Sequence, residues 1–292
     1  MILVVFIYAG NILTGKAIND LPPLTIAFFR LVIAFIIMFP IGIQTAWKKR
    51  STFLEHKTPL LIMALTGVTF YNIFLYGALQ FTSTTNVSVL QTAIPVVTVI
   101  LSAFLLKERL KRIQWLGILL SFFGAAWVVL DGKLFQLTTN TWNIGDAIMI
   151  GAILAWSIYT ISVKRYMPLF PQFAAIFVMT GISVVIILPM VLIEWAVVGI
   201  PSFEFPSHLI GLLYLGIFPS FIALLLYNHA IKLIGSSQTS VFINFLPVVT
   251  MIGAYIWLNE NITLMQLIGA LLVICGVFLT TQFNRDCKKG VR

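Results

Sequence analysis

Charge is scarce in this 292-residue chain: Asp, Glu, Lys and Arg together make up 9% of it, against 60% apolar residues. Soluble domains carry about 25% charged and roughly 45 to 50% apolar residues. Neither a water-facing surface nor an intrinsically disordered chain is built from such a composition. Cysteine is nearly missing as well, with Cys275 inside an apolar run and Cys287 in a polar tail. That pair offers no disulfide framework and no metal-ligand spacing, so no metal and no cofactor is expected, and Cys275 reads as a small packing residue. The three histidines, His56, His208 and His229, lie far apart, and there is no His-Glu-x-x-His run, no pair of carboxylates within an apolar run and no nucleophile placed with a base. Intramembrane proteolysis and enzyme chemistry generally are therefore not expected. Nor is there a ring of like charges or a filter motif of the kind a channel uses.

What the chain has in quantity is hydrocarbon in long runs, with 24 phenylalanines and a mean hydropathy of +1.04. A helix that crosses about 30 Å of lipid needs about 20 mostly apolar residues, with every backbone group paired internally. Ten stretches meet that need: residues 2–19, 24–46, 59–80, 84–106, 112–130, 144–164, 171–196, 207–232, 236–258 and 263–283. The predicted fold class is an all-α polytopic membrane protein with ten transmembrane helices and the lipid bilayer as its surroundings. Pro22, Pro23, Pro59, Pro168 and Pro171 punctuate helix starts, and Thr263 with Gln266 reads as a capping box. The longest connection runs only from about Asp131 to Asn143. No basic region or small-residue cleavage site precedes the first run, so a cleaved signal peptide is not expected, and a start upstream of Met1 stays open.

The net charge of +9 comes from lysines and arginines in short clusters between apolar runs, not from one soluble basic face, which argues against a nucleic-acid partner. Clusters of this kind mark the cytoplasmic side. With the N-terminus inside, cytoplasmic segments collect 15 of the 18 basic residues, and the outer side keeps Lys133, with Lys16 and Arg30 in the outer parts of the first two runs. Both termini are predicted to be cytoplasmic, in a plasma membrane of the bacterial inner-membrane type.

Shifting the chain by 152 residues aligns Ala78–Gly124 with Ala230–Gly276 at 15 identities in 47 positions. Apolar bias does not align Pro95 with Pro247, Glu108 with Glu260, Gln114 with Gln266, Gly117 with Gly269 and Gly124 with Gly276. With a four-residue gap, Tyr8–Lys16 lines up with Trp156–Lys164. The predicted units are residues 1–131 and 144–283, five helices each, followed by a cytoplasmic tail over 284–292. An odd number of helices forces the second unit to be inverted. The basic hinge from Lys107 to Arg112 agrees, because its counterpart from Asn259 to Leu264 has no positive charge. Inverted repeats place a binding site near the midplane, between the halves.

Polar residues inside the runs show where such a site lies. Thr84, Ser88, Gln91, Pro95, Thr98 and Ser102 share one helical face, and Ser236, Ser240, Pro247 and Thr250 repeat it, with Asn244 alongside. Ser and Thr here suit tight helix packing as well as cavity lining; Ser88, Ser240, Gln91 and Asn244 are carried as solute contacts. Pro95 and Pro247 are candidate helix breaks that free a carbonyl. Asn72 and Tyr76 share a face in the third run, Asn228 and His229 lie near the cytoplasmic end of the eighth, and Trp156 and Tyr159 suit an aromatic wall in the sixth. A lone His229 is as well suited to a packed interfacial position. Arg30 lies about two turns inside its run, where it meets a solute anion or snorkels outward. All nine carboxylates fall in connections or at run ends, so no mid-membrane acid is available to relay a proton or sodium ion. Coupling then falls to His229 or the solute, or the solute's own gradient drives passage.

The five-plus-five arrangement, the aromatic-to-Lys pattern of Tyr8–Lys16 and Trp156–Lys164, and the doubled Pro-x-x-Thr followed by Glu and paired Gly resemble the EamA-type members of the drug/metabolite transporter superfamily. The first unit departs from the usual pattern, with a short first helix and Tyr8 where Trp is usual. The resemblance implies a central cavity lined by helices one to four and six to nine, with five and ten outside it. It also implies a secondary transporter that moves a small organic solute by alternating access, most simply outward; the resemblance is loose about the solute, and an amino acid or related compound is favoured because Arg30 suits a carboxylate while the aromatic and amide residues suit a side chain. The alternatives are a non-transporting scaffold or sensor and a facilitator for another metabolite class. Solute identity, import against export, the coupling ion and the oligomeric state, a homo-oligomer included, stay open.

Overall fold

The computed structural model describes residues 1–82, 87, 90–107, 111–129, 144–250, 252 and 263–282, and among these there are helices and turns but no strand. In chain order the helices are α1 (Ile2–Ala17), α2 (Pro23–Lys48), α3 (Lys57–Phe81), α4 (Ile94–Leu105), α5 (Arg112–Val129) and α6 (Ile144–Tyr166). Then come α7 (Gln172–Val198), α8 (Ser207–Ile234), α9 and α10 (Leu264–Gln282). Helix α9 begins as Ser236–Val241, tightens to a 3-10 turn over Phe242–Phe245 and resumes over 246–250. Among the described residues, α2, α3, α6, α7 and α8 are long and apolar enough to cross a membrane, while α1, α4 and Leu267–Thr280 of α10 are shorter apolar helices. The expected runs 84–106 and 236–258, the connection 131–143 and the tail 284–292 lie partly or wholly outside the described residues.

The large side chains that face outward are hydrocarbon, as at Phe104, Leu116, Leu188 and Leu271. The polar ones turn inward, among them Asn11, Arg30, Asn72, Thr160, Asn228 and Asn244. That inversion of the soluble pattern suits lipid as solvent. The chain is a multi-pass helical membrane protein.

The two ends of the bundle differ in charge. At one end the Glu194 carboxylate, near the end of α7, accepts from the backbone N–H groups of Leu24 (3.0 Å) and Thr25 (2.9 Å) and from the Thr25 hydroxyl (2.8 Å). A carboxylate here satisfies orphan donors and opposes the positive pole of α2. Nearby the Glu204 N–H donates to Nδ1 of His208 (2.9 Å), which leaves Nε2 to donate to Asp20 (2.8 Å). The opposite end carries Lys48 in the last turn of α2, Lys164 and Arg165 in that of α6, and Lys232 in that of α8.

Two departures from regular helix matter to the centre. Helix α3 widens into a π turn over Ala64–Phe70, and α8 does the same over Phe218–Ala223, where Pro219 removes a backbone donor. The Ser220 hydroxyl donates to the Leu215 carbonyl at 2.7 Å, filling an acceptor the π turn releases. Away from the centre α5 and α10 pack against each other at glycines. A Cβ at Gly117 would lie 2.7 Å from the Gly276 carbonyl oxygen, and one at Gly124 would lie 2.9 Å from that of Gly269. Only glycine permits backbones so close.

Candidate functional site

Arg30 is 3% exposed, so its long stem carries the guanidinium inward. Its Nε donates to the Ser220 hydroxyl of α8 (2.8 Å), and Nη1 donates to Oδ1 of Asn11 on α1 (3.0 Å) and Oδ1 of Asn72 on α3 (2.9 Å). Nη1 also meets the Tyr76 hydroxyl, which in turn donates to Asn11 Oδ1 at 2.9 Å. The Asn72 amide nitrogen donates to the Val68 carbonyl (2.7 Å) within the π turn, which aims its oxygen at Arg30. Four helices thus converge on one cation, and all its partners are neutral. Charge-assisted bonds of this kind offset the cost of burying the ion.

Beside it stands an aromatic group with Trp156 of α6 at its centre. Tyr71 of α3 lies 4.4 Å from the indole ring, Tyr227 of α8 5.1 Å and Tyr159 5.3 Å, and Tyr8 of α1 meets it edge-on at 5.8 Å. The indole N–H donates to the Tyr227 hydroxyl (3.2 Å), which also pairs with Thr160 (3.0 Å). The Tyr8 hydroxyl is buried without a partner. Between the aromatic group and Arg30 is a small cavity of about 20 Å³, bordered by Tyr8, Asn11, Arg30, Tyr71, Asn72 and Trp156. It has room for a single water.

One turn closer to the basic end, the Tyr159 hydroxyl donates to Oδ1 of Asn228 on α8 (2.8 Å). Asn228 is 1% exposed and its Nδ2 has no partner. This bond has a counterpart. Under the offsets read from the sequence, Asn11 corresponds to Tyr159 and Tyr76 to Asn228. The α1–α3 and α6–α8 pairs therefore make the same phenol-to-amide bond, with the two side chains exchanged between helices.

Of the residues singled out from sequence, Arg30, Asn72 and Tyr76 form the first cluster, and Trp156, Tyr159 and Asn228 the second. Gln91 is buried at the edge, its amide nitrogen 3.5 Å from the Tyr71 hydroxyl. Pro95 sits in the first turn of α4, after a turn at Thr92 and Ala93. Pro247 lies just past the 3-10 turn of α9. Ser88 lies outside the described residues. The others stand apart: His229 is exposed, Ser240 donates to the Ser237 carbonyl (2.9 Å), and Asn244 donates to Ser121 of α5 (2.8 Å). A single α-helical stripe in the ninth run does not place Asn244 there. A 3-10 turn advances about 120° per residue instead of about 100°, so four such residues rotate the rest of the helix by roughly 80°. Ser102 and Ser236, from the two polar stripes, bond each other at 3.0 Å and join α4 to α9. Asn11, Ser220 and Thr160 were not singled out. Asn11 was readable as the amide in the middle of the first apolar run, whereas Ser220 becomes a partner of Arg30 only through the π turn. No group of three metal-ligating side chains occurs among the described residues.

A helical membrane protein with a buried polar and aromatic centre between its helices fits a transport class. The EamA-like transporter family matches residues 1–130 and again residues 143–282, and the chain belongs to that family. It is 27% identical over 291 residues to the uncharacterized transporter YyaM of Bacillus subtilis, covering 97% of this chain and 94% of that one. An uncharacterized transporter of Archaeoglobus fulgidus is likewise 27% identical, over 96% of this chain and 95% of its own. A protein of known crystal structure shares the fold at a TM-score of 0.74 and 18% identity, over 98% of this chain and 97% of that one. The family and these relatives are named as transporters, not enzymes.

Proposed function

We propose that this protein is a secondary transporter that moves a small organic metabolite by alternating access between two inverted five-helix halves. Ten spans place both termini in the cytoplasm of a bacterial cell, with the basic end of the bundle facing inward. The observation that carries this reading is the matched phenol-to-amide bond, Asn11 with Tyr76 and Tyr159 with Asn228, made once in each half on either side of Trp156. Two copies of one contact, at opposite depths around a shared centre, suit a site that opens first to one side and then to the other.

Trp156, Tyr159 and Asn228 meet the solute from one side, and Arg30, Asn72 and Tyr76 from the other. The cavity of about 20 Å³ between them is smaller than a solute, so admission requires the halves to part. The guanidinium suits a carboxylate, and the aromatic group suits an apolar side chain. An exported amino acid or related compound combines the two. With no carboxylate among the described residues of the central clusters, the solute gradient or an exchanged solute supplies the driving force.

Counterflow in proteoliposomes tests this directly. Vesicles loaded with unlabelled amino acid should accumulate the labelled compound, and Trp156→Ala should weaken that uptake while the protein still inserts. If no amino acid exchanges, the substrate class is wrong; if no metabolite of any class exchanges, the transport reading fails.

A further inference from the structure

At the basic end of the bundle a second cavity of about 250 Å³ opens between α6, α7 and α8, with Lys164, Gln172, Asn228 and Lys232 contributing its polar lining. Its inner wall is Asn228, whose oxygen accepts from Tyr159 and whose buried Nδ2 has no acceptor. The lining contains no carboxylate, and no hydrogen bond or ion pair to a described residue engages either lysine. The Gln172 amide nitrogen already donates to the Leu225 carbonyl at 2.7 Å. What is left is a surplus of donors and positive charge with nothing to accept from it.

Lysines in the last turn of a helix often serve only its negative pole, and the other half of the chain shows what that looks like. Lys16, which aligns with Lys164, donates to the carbonyls of Leu79 (2.9 Å) and Thr82 (3.4 Å) at the end of α3. At the matching end of α8 that task falls to Gly235. Its φ of 94° turns the chain and its N–H returns to the Ile231 carbonyl at 3.0 Å. A glycine adopts that conformation at no steric cost. Lys164 is thereby released from capping, in a pocket that Lys232 and Asn228 also line.

We propose that this pocket binds the anionic group, carboxylate or phosphate, of a small solute at the basic end of the bundle, held by Lys164 and Lys232 with Asn228 at its border. The proposal deepens the transport reading and rests on it for direction: the basic end faces the cytoplasm, and the pocket is where an outgoing solute is first held. Asn228 links the two places, since its oxygen holds Tyr159 beside Trp156 while its side chain borders the pocket.

The test uses full-length protein in phosphatidylcholine nanodiscs at fixed ionic strength, with radiolabelled phosphate and succinate as probes and choline as the cationic control. At least one anion should bind saturably and choline should not. K164A/K232A should weaken that binding by about tenfold or more, as expected for loss of both charged partners. Lys232→Glu, an exposed change that leaves the packing untouched, should weaken it in the same direction. Equal retention of both anions by wild type and K164A/K232A overturns the proposal. So does loss of probe binding when phosphatidylglycerol is added to the discs, because the pocket then belongs to a lipid headgroup. Counterflow separates this from the transport reading. Exchange that is unaffected by K164A/K232A removes the pocket and keeps the transporter, whereas anion binding without exchange of any solute removes the transporter and keeps the pocket.

Discussion

In the first half of the chain the Asn11 amide and the Tyr76 phenol meet a guanidinium; in the second, the Tyr159 phenol and the Asn228 amide meet none. The two contacts are otherwise alike in kind, with phenol and amide exchanged between the helices. Each joins the first and third helices of its half, and each lies one helix away from Trp156 or on its own helix. Arg30 closes the first contact by filling every acceptor around it and by tying α8 to α1, α2 and α3 through Ser220. The second is left with a donor to spare and a cavity of about 250 Å³ beside it. A symmetric scaffold becomes directional when one copy of a contact is saturated and the other is not. The lysines repeat the lesson, since Lys16 caps a helix and Lys164 does not.

The largest expected effect comes from removing the group that makes the halves unequal. Arg30→Ala removes the donor that Asn11, Asn72, Tyr76 and Ser220 share, and each buried acceptor left unsatisfied costs about 1–3 kcal/mol. The thermal midpoint of the purified protein should fall sharply, and folded yield with it. Arg30→Lys should recover little, because a compact ammonium does not reach Ser220 and Asn11 together as the planar fork does. A variant that melts like wild type would show that the four helices are held by packing alone.

A smaller contrast compares the two phenols. Tyr76→Phe loses a bond to a charged group, about 1.5–3 kcal/mol, while Tyr159→Phe loses a neutral one, about 0.5–1.5 kcal/mol. Chemical denaturation of both variants in the same detergent measures the difference. Equal losses would mean that Arg30 does not distinguish the halves energetically.

Much of this architecture is legible in the sequence, and the boundary is instructive. The apolar runs that predict α2, α3, α6, α7 and α8 become, among the described residues, the five helices long and apolar enough to cross a membrane. The 152-residue offset pairs Gly117 with Gly269 and Gly124 with Gly276, and those glycines meet crosswise in the structure, Gly117 against Gly276 and Gly124 against Gly269. Arg30 is conspicuous as a cation in an apolar run, yet its partners are not. Ser220 lies 190 residues away and reaches Arg30 from a π turn, a local change of pitch that a fixed helical period does not express. The same limit explains Asn244, which the 3-10 turn over Phe242–Phe245 aims at Ser121. Periodicity finds polar residues inside helices; departures from it decide which of them meet.

The smallest effect on stability should come from Tyr8, and its sign separates structure from function. Its hydroxyl is buried at the small cavity between the Arg30 cluster and Trp156 and has no hydrogen-bond partner among the described residues. A buried hydroxyl without a partner costs about 1–3 kcal/mol, so Tyr8→Phe should leave the thermal midpoint unchanged or raise it. Tyr76→Phe and Tyr159→Phe, the same chemical change one helix away, should both lower it. If the hydroxyl is kept free for the solute, Tyr8→Phe should also raise the solute concentration needed for half-maximal counterflow. A more stable protein with unaltered counterflow would assign Tyr8 to packing and confine solute recognition to the partners of Trp156 and Arg30.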